Sequence, residues 1–82
     1  MNLIVLTPEK EIYTGQITSV KVPGISGQFE ILKNHAPIVA ALSQGDVRII
    51  DAKGEKKTFK IKKGFVEVLK NEVSLLVQGV QE

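Results

Sequence analysis

Eighty-two residues suffice for one small core, since a domain usually takes about 100–200 residues, and a single domain over 1–82 is expected. Hydrophobic and charged fractions of 43% and 24% exclude a disordered tail, and no apolar run approaches the roughly 20 residues that span a bilayer. With no Cys, disulfides, thiol catalysis and zinc ribbons are all excluded, and a formal net charge of +2 is too small to imply nucleic acid by itself.

In chain order, Met1-Asn2-Leu3-Ile4-Val5-Leu6 has neither the basic start nor the small-residue cleavage site of a secretory signal, and Leu3–Thr7 reads as a strand. Thr7-Pro8-Glu9 turns the chain into Glu11–Thr14 and then Ile17–Val22, which Pro23-Gly24 ends. Gly27–Leu32 and Ile38–Leu42 follow, with a further turn at Ser43-Gln44-Gly45-Asp46. Gly45–Asp51 and Lys56–Lys62 flank Lys53-Gly54, and Phe65–Lys70 and Glu72–Val77 flank Lys70-Asn71-Glu72. Val47-Arg48-Ile49 and Phe59-Lys60-Ile61-Lys62 alternate apolar and polar residues, the pattern of half-buried strands. Many short strands with regular turns and no helical stretch predict an all-β fold, a small flattened antiparallel β-sandwich.

Three places break the alternation. Ile38-Val39-Ala40-Ala41-Leu42 has no polar face. Phe65-Val66-Glu67-Val68-Leu69 is apolar on both faces, with Glu67 its one charge, and Leu76 interrupts the pattern that Val73-Ser74-Leu75 begins. A strand apolar on both sides is covered on both sides. Here the second cover is either another strand or another protein.

The catalytic inventory is thin. His35 is the only histidine, so no His pair exists for a metal, and a His beside Ala-Pro in a turn more often satisfies a backbone bond than acts as a base. Gly24-x-x-Gly27 sits between strands rather than before a helix, which excludes a phosphate cradle. Seven of the eleven Lys and Arg residues lie between Lys53 and Lys70. That run alternates with Phe59 and Ile61, so it reads as a solvated strand face rather than a nucleic-acid platform, which also needs exposed aromatics. Lys53 at a predicted hairpin tip admits a lipoyl- or biotinyl-carrier alternative, weakened because Ala52 stands where carriers place an acid or Met. A small nucleic-acid-binding β-domain is the other alternative. No cofactor is expected under the favoured reading, that of a binding or coupling module.

Pro23-Gly24-x-x-Gly27-x-Phe29-x-Ile31-Leu32-x-Asn34-His35-Ala36-Pro37-Ile38-Val39 strongly resembles the epsilon subunit of F-type ATP synthases, called delta in mitochondria. Further landmarks keep family order: Thr7-Pro8-Glu9, Ile12-Tyr13-x-Gly15, Leu42-x-x-Gly45-x-Val47-x-Ile49 and Gly64-Phe65-Val66-Glu67-Val68. The likeness runs to about Val77, nearly the whole chain. It implies a sandwich of about ten strands and a non-catalytic rotor role, coupling the gamma subunit to the ring of c subunits. It also implies peripheral association with the cytoplasmic face of the bacterial inner membrane, and a monomer in isolation.

Residue by residue, the resemblance places Ser26, Gly27, Gln28, Asn34 and His35 toward the c-ring, and Thr7, Ala40, Lys62 and Lys63 toward gamma. Gln28 stands where family members often carry Glu, Glu30 replaces a frequent Gly, and Lys63 replaces the first Gly of a Gly-Gly pair. Because the chain stops at Gln81-Glu82, the expectation is a short form without the helical hairpin by which longer members restrain rotation or hold ATP.

Overall fold

The computed structural model describes residues 1–81; Glu82, the last residue of the expected domain, lies outside the described residues. Eight strands form, in the order β1 (Asn2–Leu6), β2 (Glu11–Gly24), β3 (Gly27–Leu32), β4 (Ile38–Leu42), β5 (Gly45–Asp51), β6 (Lys56–Ile61), β7 (Lys63–Leu69) and β8 (Glu72–Gln78). The expected runs Glu11–Thr14 and Ile17–Val22 are one strand of 14 residues, because Gly15 and Gln16 stay extended and pair with Leu3 and Asn2. This merger brings the count below the ten or so strands that the resemblance implied.

The long strand serves two layers. Its first half, Glu11–Gln16, pairs with β1, and the layer continues through β8 and β7 to β4. Its second half pairs with β3 on one side and with β5 on the other, and β5 leads to β6. A register shift between Ile17 and Ser19 marks the bulge where β2 passes from one layer to the other. Neighbouring strands joined by short turns are antiparallel, as expected. β1 and β8 run parallel, with Leu3 opposite Val73 and Leu6 opposite Leu76. Nearly the whole chain lies between them, so no hairpin dictates their direction.

Period-two patterning builds the core. Val66 and Val68 of β7 face inward with Val73, Leu75 and Val77 of β8, against Val20, Val22, Val47, Ile49, Phe59 and Ile61 of the other layer. The turns match their residue chemistry. Lys70 (φ 50°) and Asn71 (φ 62°) form the two-residue turn from β7 to β8, in the conformation a right-twisted hairpin demands. Thr7 Oγ1 accepts from the amides of Glu9 (3.3 Å) and Lys10 (3.1 Å), closing the turn after β1. Glu30 and Lys63, which stand in place of family glycines, lie within β3 and β7 and are not among the residues with positive φ. Neither position needs glycine's freedom here.

Two positions carry measurable consequences. Ser19 is 4% exposed and its Oγ has no hydrogen-bond partner. Removing an orphaned hydroxyl relieves a desolvation cost, so Ser19→Ala is expected to raise stability by about 1 kcal/mol, seen as a higher urea midpoint with unchanged slope. At Gly64 a Cβ would stand 2.5 Å from the backbone oxygen of Leu76 and 3.1 Å from Val77 Cγ1. Backbone cannot yield as a flexible side chain does, so Gly64→Ala is expected to cost about 1–3 kcal/mol. Gly15→Ala is the control, since its Cβ would meet only Tyr13 at 3.6 Å or more. Equal midpoints for the two alanine variants would contradict the close approach of β7 and β8.

Candidate functional site

The three breaks in alternation converge on one surface. On β4, β7, β8 and β1 the residues facing away from the core include Ala41, Phe65, Leu76 and Leu6, and the register puts them side by side: Ala41 opposite Phe65, Phe65 opposite Leu76, Leu76 opposite Leu6. The result is an apolar row running across four strands on the outer face of the first layer. Phe65 is 57% exposed, Leu76 52%, and Val39 beside the row 72%, so among the described residues nothing supplies the second cover that the two-sided strands predict.

Beside the row the surface sinks into a groove of about 590 Å³. Thr7 and Pro8 line it together with Ala41, Phe65, Gly64 and Val77, and among the described residues Lys63 brings its only charge. Gly64, whose missing side chain lets β7 approach β8, lies on the groove's floor. Thr7 and Lys63, both expected to face the gamma subunit, therefore meet in one place. Ala40 does not join them. Its side chain is directed inward with Ile38 and packs against the core, while its neighbours Val39 and Ala41 face outward. Lys62 is also outside the groove. Its stem runs over Gly79, where an added Cβ would stand 2.5 Å from Lys62 Cγ.

The five residues expected to face the ring are not brought together. Ser26, Gly27 and Gln28 occupy the exposed tip between β2 and β3, where Gly27 takes φ +130° with open space around it. Asn34 and His35 follow the opposite end of β3, about 20 Å away at the rise of an extended strand. Asn34, in the left-handed region at φ 65°, is held by Asn71: its amide donates to Asn71 Oδ1 (2.7 Å), and Asn71 Nδ2 donates to Asn34 Oδ1 (3.1 Å). His35 Nδ1 donates to the Ala36 carbonyl (2.7 Å), the backbone bond expected of a lone turn histidine. The tip instead adjoins the apolar row, since the Ile25 amide donates to the Ala41 carbonyl (3.3 Å). Ile25 is itself 69% exposed.

Chemistry is sparse. Among the described residues no group of three or more His, Cys, Asp or Glu is placed to hold a metal ion. The Tyr13 phenol is held above its ordinary value by burial and secondly by the Asp51 carboxylate, which keeps it neutral at physiological pH. Tyr13 does not line the groove. Lys53 sits at an exposed hairpin tip, where Asp51 Oδ1 accepts from the amides of Lys53 (2.8 Å) and Glu55 (2.9 Å).

Sequence reasoning reached Thr7 and Lys63 but missed Leu6, Phe65 and Leu76. The signal was present in the broken alternation, and only the register of four strands converts it into one row.

The family described as ATP synthase, Delta/Epsilon chain, beta-sandwich domain matches residues 1–82. The chain belongs to this family. The ATP synthase epsilon chain of Chlorobium limicola is 42% identical over 78 residues, spanning 95% of this chain and 89% of its own. That of Leptospira borgpetersenii is 48% identical over 77 residues, 93% of this chain and 59% of its own. Among solved structures, a chain of the Euglena gracilis mitochondrial ATP synthase (OSCP/F1/c-ring) superposes with a TM-score of 0.86 at 18% identity. A chain of the Tetrahymena thermophila mitochondrial ATP synthase (central stalk/c-ring) superposes with 0.82 at 19%. The epsilon-type sandwich described above covers 51% and 66% of those two chains, so it spans about half to two thirds of their length.

Proposed function

We propose that this chain is the epsilon-type subunit of a proton-translocating F-type ATP synthase, a non-catalytic component of the central stalk that links gamma to the c-ring. The observation that carries the proposal is the uncovered row Ala41–Phe65–Leu76–Leu6 in a member of the epsilon family. Exposed apolar side chains aligned across four strands favour removal from water, and among the described residues nothing removes them. A stable partner does. The row and its groove are assigned to gamma, with Thr7 and Lys63 at the rim, and the Ser26–Gln28 tip to the ring.

The geometry suits a subunit held between two partners. Tip and row lie at the same end of the molecule, joined by the Ile25–Ala41 hydrogen bond. Two interfaces of about 800 Å² each would use about a third of the 5073 Å² of surface. The Asn34–His35 turn, a strand's length from the tip, is assigned a structural role through its clasp with Asn71. In this reading the subunit is peripheral, carried on the cytoplasmic face of the bacterial inner membrane by the complex. It needs no cofactor and no nucleic acid, and family membership favours it over the carrier and nucleic-acid alternatives.

Phe65→Asp is expected to leave the fold intact by circular dichroism, because the side chain is exposed in the free chain. It is expected to weaken gamma binding by about 2 kcal/mol or more, roughly 30-fold, measured by calorimetric titration. Wild-type affinity in that variant would remove the row from the interface. At the tip, Gln28→Trp is a better probe than any change at Gly27, whose φ of +130° strains a side chain wherever it points. In reconstituted membranes Gln28→Trp is expected to reduce ATP-driven proton pumping several-fold more than ATP hydrolysis. A parallel fall, or no change in either, would mean that the tip does not contact the ring.

A further inference from the structure

The apolar row has a direction problem, and two charges on β7 solve it. Hydrophobic attraction is non-directional, so a stripe of apolar side chains lying across strands accepts a partner segment either way round. Along the outer face of β7 the exposed residues are, in order, Lys63, Phe65, Glu67 and Leu69. A cation and an anion thus stand on opposite sides of Phe65, each about 7 Å from it along the strand and about 13 Å from each other. Their cross-strand neighbours are uncharged: Gln78 for Lys63, and Val39 and Ser74 for Glu67. Among the described residues the ion pairs are Arg48–Glu30 and Lys60–Asp46, both on the other layer, and neither Lys63 nor Glu67 takes part in one.

We propose that Lys63 and Glu67 fix the orientation of the stalk partner across the apolar row. The matching segment of gamma carries apolar side chains for Phe65 and Leu76, a carboxylate on the Lys63 side and a cation on the Glu67 side. Turned around, the same segment sets like charge against like at both ends while keeping every apolar contact. The charges therefore add specificity more than affinity. This inference rests on the assignment of the row to gamma. It adds to that assignment the chemistry of the partner and two orienting residues, one of which, Glu67, had no role until now.

The test is titration of gamma with Lys63→Glu, Glu67→Lys, the double swap Lys63→Glu/Glu67→Lys, and Phe65→Asp. Both charged side chains are exposed, so the variants are expected to fold, which circular dichroism checks. Each single reversal is expected to weaken binding about tenfold. The double swap restores opposite charge on both sides once the segment lies reversed, so it is expected to recover most of the affinity that either single reversal loses. The deficit of each single reversal is expected to shrink on raising salt from about 50 mM to about 500 mM, as screening weakens its like-charge contact. If Phe65→Asp abolishes binding while the single reversals bind like the parent at low salt, or the double swap recovers nothing, the orienting pair is wrong and the docking face stands. If Phe65→Asp binds like the parent, the docking face itself is wrong and the pair falls with it.

Discussion

Because β2 gives its first half to β1 and its second half to β3 and β5, the two layers share a strand at their common corner. The shift between Ile17 and Ser19 is what allows this, since a regular strand of 14 residues would carry its side-chain alternation straight into the other layer. Past the bulge Val20 and Val22 face the same core that Leu3 and Val5 of β1 face from the opposite side. Every other feature follows from that turn. It sets which faces of β7 and β8 point outward, and it brings the Ile25–Ser26 tip beside the end of β4.

In so small a sandwich the outer faces make up much of the molecule, and they are treated differently. On the second layer, Glu30, Lys21 and Arg48 share a row, and Asp46 opposes Lys60, with ion pairs at 2.9 Å and 3.0 Å. Exposed pairs of this kind add little stability, but they keep the face wet, and the lysines of β6 discourage pairing along that edge. The first layer shows the opposite choice: Phe65, Leu76 and Val39 are each more than half exposed and lie close together. A monomer gains nothing from that arrangement. Under the proposed function a partner covers it.

Strand bounds were legible where flanking turn residues marked them, even on strands without clean alternation. The bounds of β3, β4 and β5 match the expected runs, and β6 and β8 differ by one residue. Gly15-Gln16 misled because a glycine inside an extended run looks like a turn, while the pairing of Gly15 with Leu3 exists only in three dimensions. The parallel pairing of β1 with β8 was invisible for the same reason. Of the residues the family landmarks single out for gamma, Thr7 and Lys63 line the groove and Ala40 does not. A strand without polar residues offers no sign of which alternate set faces inward; the neighbouring core decides, and it takes Ile38, Ala40 and Leu42. The landmarks also grouped His35 with Gln28, although β3 keeps the two apart.

The distance from the tip to the row bears on how a subunit without catalytic groups contributes to a rotary machine. Gly24, at the base of the tip, pairs with Leu42; Leu42 pairs with Gly64; and Gly64 pairs with Val77 beneath the groove. Three successive backbone pairings therefore connect the proposed ring contact to the proposed gamma contact. The β4–β7 and β7–β8 steps are full ladders, whereas β2 meets β4 at Gly24–Leu42, flanked by the Ile25–Ala41 and Ser43–Pro23 hydrogen bonds. A longer route through loops would store a displacement as bending of soft dihedrals and return it late. Under the proposed function, a short backbone path of this kind, rather than any reactive group, is what the sandwich would offer to coupling, and Gly64, where a Cβ would meet the Leu76 carbonyl, lies on it.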